Sequence, residues 1–206
     1  MNLRRATLIG AGLLAGWLWQ GDALAQCRDP VVLVHGNTGH PSDFDNTYIE
    51  LRARGYADSQ IFRPNWGSKT CAACNDHNGS EGTPVLAAIN SALAVACRGK
   101  IDVIGHSMGA MQAIANARRA PTRFAAVAAL GGGGRIEAGD AISGVAFQVT
   151  VGSLDFARGP ARALALALER NEADVEFVEV PDVGHVLVLQ DALPRVFAWL
   201  DAPSKR

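Results

Sequence analysis

The chain has 206 residues, 49% of them hydrophobic and 19% charged, with a formal net charge of −1. That length suits one domain, and that composition can bury a core, far from the low-hydrophobicity, high-charge signature of disorder. No run of Lys or Arg follows the N-terminus, so no footprint for a phosphate backbone exists and nucleic acid is not an expected partner.

In chain order, the first element is a targeting signal. Arg4 and Arg5 open it, Ala6 to Trp19 is almost wholly apolar, and Ala23-Leu24-Ala25 supplies the small-x-small pattern of a cleavage site. The apolar run is shorter than the roughly 20 residues a membrane span requires. Residues 1–25 are therefore expected to be a signal peptide, leaving 26–206 as one secreted or periplasmic domain with no stable membrane insertion. The paired arginines are too generic to choose a twin-arginine route. Cys27, Cys71, Cys74 and Cys97 all follow the cleavage site, and an even count in an exported chain reads as disulfides with three connectivities open. A redox role for Cys71-x-x-Cys74 is the sharper alternative, but the motif sits in a polar loop, not at the start of a helix.

Val31 to Val34 is a β-branched run suited to a strand buried on both faces. Ser42 or Asp43 caps a helix reaching about Arg54 and ended by Gly55. Gln60 to Arg63 reads as a short strand stopped by Pro64, and Asn65 to Gly82 as a long loop. Thr83 and Pro84 open a helix reaching Cys97, with Gly99 after it. Then come a strand at Ile101 to Ile104, a helix from Met108 to Arg119, a strand at Phe124 to Leu130 and a four-glycine turn. A strand at Val145 to Val151, a helix at Pro160 to Arg170, a strand at Val175 to Val180 and a closing helix at Leu193 to Leu200 complete the series. Apolar strands alternating with helices predict an α/β fold with a parallel sheet covered on both faces.

Chemistry concentrates in Gly105-His106-Ser107-Met108-Gly109, a G-x-S-x-G motif between a predicted strand and helix. A serine is a weak nucleophile unless held exposed beside a base, and a sharp strand-to-helix turn does this. The glycines are needed where the turn's backbone passes close to its neighbours. An oxyanion requires two backbone N–H donors, one following the nucleophile and one from an earlier strand's loop. Met108 supplies the first; Asn37, after Val34-His35-Gly36, is the candidate for the second, with Thr38 in reserve. Of five histidines, His185 lies in a late loop, whereas His35 precedes its turn and reads as structural, His106 is part of the elbow, and His40 and His77 sit in polar loops. Chain order puts the acid between serine and histidine at a strand end, which Asp155 satisfies. Asp182 lies too near His185 to reach Nδ1, and Asp140 and Asp174 precede their strands.

These segments resemble the class 2 lipases, small lidless bacterial α/β-hydrolases. Val31 to Gly36 resembles their oxyanion strand, Gly105 to Gly109 their elbow, Leu130 to Gly132 their Leu-Gly-Gly, and Val183 to Val186 their histidine loop. The resemblance implies a minimal α/β-hydrolase fold of about six mostly parallel strands without a cap domain, acting as a monomer on small-molecule or lipid carboxylic esters, with the acid carried by Asp155. It also implies that the strands at Val31 and Ile101 are neighbours. Cys27 and Cys97 each lie four residues before those strands, so they are expected to pair, leaving Cys71 to pair with Cys74.

The chain departs from that pattern in the length of the loop from Trp66 to Gly82 and in Gly133-Gly134-Arg135. Between Gly131 and Val145 too few residues remain for a helical cap, which predicts an open site. No cofactor and no metal is implied: Asp43, Asp45 and Asp76 read as capping or solvated. Two rival functions share these residues, a polyester depolymerase or cutinase-like enzyme and a catalytically silent binding protein.

Overall fold

The computed structural model describes residues 27–75 and 82–202. The expected signal peptide, and with them His77 and Asp76, lie outside the described residues.

Six strands form one sheet: β1 (Val31–Val34), β2 (Ile61–Phe62), β3 (Ile101–His106), β4 (Phe124–Leu130), β5 (Ala146–Gly152) and β6 (Asp174–Val180). Their order is β2-β1-β3-β4-β5-β6, and every pair is parallel. The expected α/β-hydrolase architecture is the one observed. Parallel neighbours need crossover connections; every one but that from β4 to β5 carries a helix, and two more helices follow β6. The helices are α1 (Asp45–Ala53), α2 (Gly82–Val95), α3 (Met108–Arg119), α4 (Arg158–Arg170), α5 (Val188–Asp191) and α6 (Leu193–Leu200).

Alternation along the strands divides the core in two. Val32, Val34, Val103, Val127 and Val149 pack with Val85 and Ile89 of α2, Ile114 of α3 and Leu164 of α4. Val31, Leu33, Ile104 and Leu130 face the other way, onto Leu51 of α1, Val188 of α5 and Phe197 of α6. A fully buried leucine such as Leu33 is worth roughly 1.5–3 kcal/mol of apolar burial, and its truncation to alanine costs about 2–5 kcal/mol once the cavity is counted.

Most boundaries fall within two residues of expectation, and the differences have local causes. α4 begins at Arg158, two residues before Pro160, because a first-turn proline lacks only an N–H that has no intrahelical partner there. Ahead of α1, His40 and not Ser42 or Asp43 caps the 3₁₀ turn Pro41–Phe44 that leads into it: its Nδ1 accepts from the Ser42 amide at 3.3 Å while Asp43 Oδ2 accepts from the His40 amide at 2.9 Å. The short α5 was not expected, since four residues carry no readable period.

The disulfides are Cys27–Cys97, with Cα atoms 6.1 Å apart, and Cys71–Cys74, at 5.3 Å. The first follows from the sheet. Val31 pairs with Asp102, so equal offsets before β1 and β3 bring both cysteines to the same sheet edge.

Candidate active site

In this strand order β1 connects to β2 on one side and lies beside β3 on the other, so the crevice at the carboxyl ends of β1 and β3 is the topological switch point where open α/β sheets bind ligands. Ser107 stands there, between β3 and α3. Its φ of 57° and ψ of −122° place a non-glycine residue in a region that costs about 1–3 kcal/mol and persists only where surroundings over-determine it. Here the Ser107 amide donates to the Leu130 carbonyl at 2.8 Å. A Cβ on Gly109 would lie 2.0 Å from the Val34 carbonyl oxygen, so the elbow closes against β1 only because that position is glycine.

Two further loops reach the serine. At the end of β6, the His185 ring stands with Nε2 2.9 Å from Ser107 Oγ and Nδ1 2.9 Å from Asp155 Oδ1. At the end of β5, Asp155 also accepts from the Ala157 amide at 2.8 Å, which fixes its rotamer. Its side chain is fully buried, that of His185 18% exposed. The carboxylate thus holds Nδ1–H and leaves Nε2 to accept the serine proton. Asp182 is exposed, and its amide donates to Ser153 Oγ.

Gly36 abuts Ser107: a Cβ there would stand 3.0 Å from Ser107 Cβ. The next amide, that of Asn37, and the Met108 amide at the start of α3 donate to no backbone or side-chain acceptor among the described residues. The long loop braces this turn. Asn37 Nδ2 donates to the Ala72 carbonyl at 3.2 Å, and Asn37 Oδ1 accepts from Asn75 Nδ2 at 2.6 Å; both partners lie in or beside the Cys71–Cys74 turn.

His35 lies beneath. Its Nδ1 donates to the Gly36 carbonyl at 2.9 Å, its Nε2 accepts from the Trp66 amide at 3.3 Å and lies 3.0 Å from Lys69 Nζ. The Trp66 ring stacks on it at 5.2 Å. Burial lowers its pKa from 6.5, the neighbouring Lys69 adding to the effect, so the ring stays neutral as those contacts require. His40 serves as the cap described above.

Sequence reasoning set His106 aside as part of the elbow. In the structure its Nε2 donates to the carbonyl of His185 at 2.9 Å, holding the His185 loop against β3. Burial lowers its pKa from 6.5, consistent with a neutral ring and a single N–H. Nothing in the sequence around His106 points to this contact, which spans 79 residues.

A cavity of about 830 Å³ opens elsewhere, between Thr83 and Leu86 of α2, Met111 and Arg119 of α3 and Arg135. None of Ser107, His185 and Asp155 lines it. Among the described residues no helix is long and apolar enough to cross a membrane.

Residues 31–168 match the model of a family described as the alpha/beta hydrolase family. Among solved structures the chain is similar to esterase PE8, at 20% identity over 84% of this chain and 91% of that one, TM-score 0.62. It is also similar to the metagenome-derived lipolytic enzymes LipS and LipT, at 16% over 83% and 92%, TM-score 0.62. A third is a carboxylesterase of the thaumarchaeon Nitrososphaera gargenis, at 14% over 83% and 89%, TM-score 0.59. At such identities the likeness is one of fold. No curated protein matches the sequence.

Proposed function

The chain belongs to the alpha/beta hydrolase family, and we propose that it is an exported serine esterase of the class 2 lipase kind, with Ser107 as nucleophile, His185 as base and Asp155 as orienting acid. The observation that carries this reading is the unbroken relay of two 2.9 Å contacts from Ser107 Oγ through the His185 ring to a buried carboxylate. Ester-cleaving enzymes among the structural neighbours support it, and two disulfides suit an exported protein.

The reaction follows from the atoms in place. Ser107 Oγ bonds to the ester carbonyl carbon as its proton passes to His185 Nε2, and the amides of Asn37 and Met108 receive the oxyanion. The carbonyl re-forms, the bond to the alcohol oxygen breaks, and His185 returns the proton to the departing alcohol. Water then attacks the acyl-enzyme by the same path and releases the acid. Asp155 keeps its charge and steadies the imidazolium.

The test is hydrolysis of p-nitrophenyl esters from acetate to palmitate by the protein and by Ser107→Ala. Activity lost in the variant supports the reading; a folded protein with no activity on any ester removes it. Release of soluble products from a polyester film separates this reading from that of a polyester depolymerase or cutinase-like enzyme.

A further inference from the structure

Among the described residues nine large hydrophobic side chains are exposed, and four of them, Leu154, Phe156, Val186 and Leu187, lie within two residues of Asp155 or His185. Single exposed apolar residues are ordinary; several gathered around one group mark a contact surface. Phe156 is the extreme case. It is 81% exposed, yet its ring is held 4.2 Å from the His185 ring at an angle of 35°, so one part of it rests on the base and the rest faces solvent beside it.

The chemistry says what lies there. In acylation the bond from the carbonyl carbon to the alcohol oxygen breaks, and the proton that His185 took from Ser107 goes to that oxygen. The alcohol part of the ester must therefore sit against His185 Nε2, while the acyl part stays on Ser107 and the two amides through both halves of the reaction. On this basis, and resting on the esterase reading above, we propose that Phe156, with Leu154, Val186 and Leu187, forms the leaving-group subsite and selects esters whose alcohol part is apolar and bulky, an aromatic ring above all. An offset or edge-on ring contact contributes about 0.5–1.5 kcal/mol beyond its burial.

The subsite is occupied in acylation and empty in deacylation, which gives the test its contrast. The wild type, Phe156→Ala and Phe156→Leu are compared on ethyl acetate and benzyl acetate, and the turnover of the shared acetyl-enzyme is read separately from the steady state that follows a p-nitrophenyl acetate burst. So exposed a side chain can be truncated without loss of core. Phe156→Ala is expected to lower kcat/KM on benzyl acetate about tenfold more than on ethyl acetate, Phe156→Leu to recover part of it, and acetyl-enzyme turnover to stay at the wild-type rate. Equal losses on both esters, or slower deacylation, would overturn the proposal, since Phe156 would then be acting on His185 alone. A folded wild type inactive on every acetate would instead overturn the esterase reading beneath it.

Discussion

Asn75 Nδ2 donates to Asn37 Oδ1 at 2.6 Å, and this contact joins the loop that lengthens the chain to the turn carrying the amide proposed for the oxyanion. Asn75 is 6% exposed, and its own Oδ1 accepts from the Ser68 amide at 2.7 Å, so it is a fixed post rather than a surface residue. The brace accounts for the Cys71–Cys74 turn as a structural staple.

Asn75→Ala should therefore lower kcat on p-nitrophenyl butyrate by about tenfold, since slack at an oxyanion donor removes stabilisation made only in the transition state. Stability should fall by about 1–3 kcal/mol through the lost buried hydrogen bonds. Urea midpoints together with kcat check both; an unchanged kcat in a folded variant means that the loop does not position Asn37.

The relay predicts an ordering among substitutions. Asp155→Asn should leave the fold intact and reduce kcat by about 10⁴, because an amide does not hold the tautomer with Nε2 free. Ser107→Ala and His185→Ala should each cost about 10⁶. Asp182→Asn should stay near wild type. A collapse in Asp182→Asn with Asp155→Asn still active would reassign the acid.

Acid should weaken the fold in a defined window. Burial holds the folded-state pKa values of His35 and His106 below 6.5, so below 6.5 the unfolded chain binds more protons than the native one. Their contribution is full above 6.5 and is lost as the pH falls through the depressed values. Asp29, whose carboxyl burial raises from 3.8, has the opposite sign but acts in the carboxylate range. Urea midpoints should be flat above neutrality and decline as the pH drops below 6.5; a midpoint independent of pH between 7 and about 5 would contradict neutral buried histidines.

Cys27–Cys97 closes a separation of 70 residues. Replacing both cysteines by serine should cost about 2–5 kcal/mol with kcat unchanged at a temperature where the variant is folded, because the bridge lies at the end of the sheet opposite Ser107. Thermal melts and ester turnover on the same sample check this.

The sheet was legible because buried parallel strands such as Val31–Val34 and Phe124–Leu130 are unbroken apolar runs bounded by turn residues, and the meeting of Ser107, Asp155 and His185 was legible because chain order and strand ends leave few candidates at each position. What escaped reading rests on distant contacts. His106 meets a carbonyl 79 residues away, Asn75 meets Asn37 across 38 residues, and the exposure of Phe156 depends on how two loops fold around Asp155. Neither period nor spacing encodes such meetings. At the edge of the sheet, Arg158 and Arg162 both bind the Glu179 carboxylate and hold its pKa down, a pairing that likewise joins residues unremarkable along the chain.

The most direct measurement is covalent trapping of the nucleophile. The protein is treated with a p-nitrophenyl alkylphosphonate, nitrophenolate release is counted, and the modified peptide is mapped by mass spectrometry. One equivalent released, activity lost in step and the phosphonyl group on the peptide carrying Ser107, with no adduct in Ser107→Ala, is the predicted result. An active protein that resists the reagent, or one labelled at another residue, would contradict Ser107 as the acyl-transfer nucleophile.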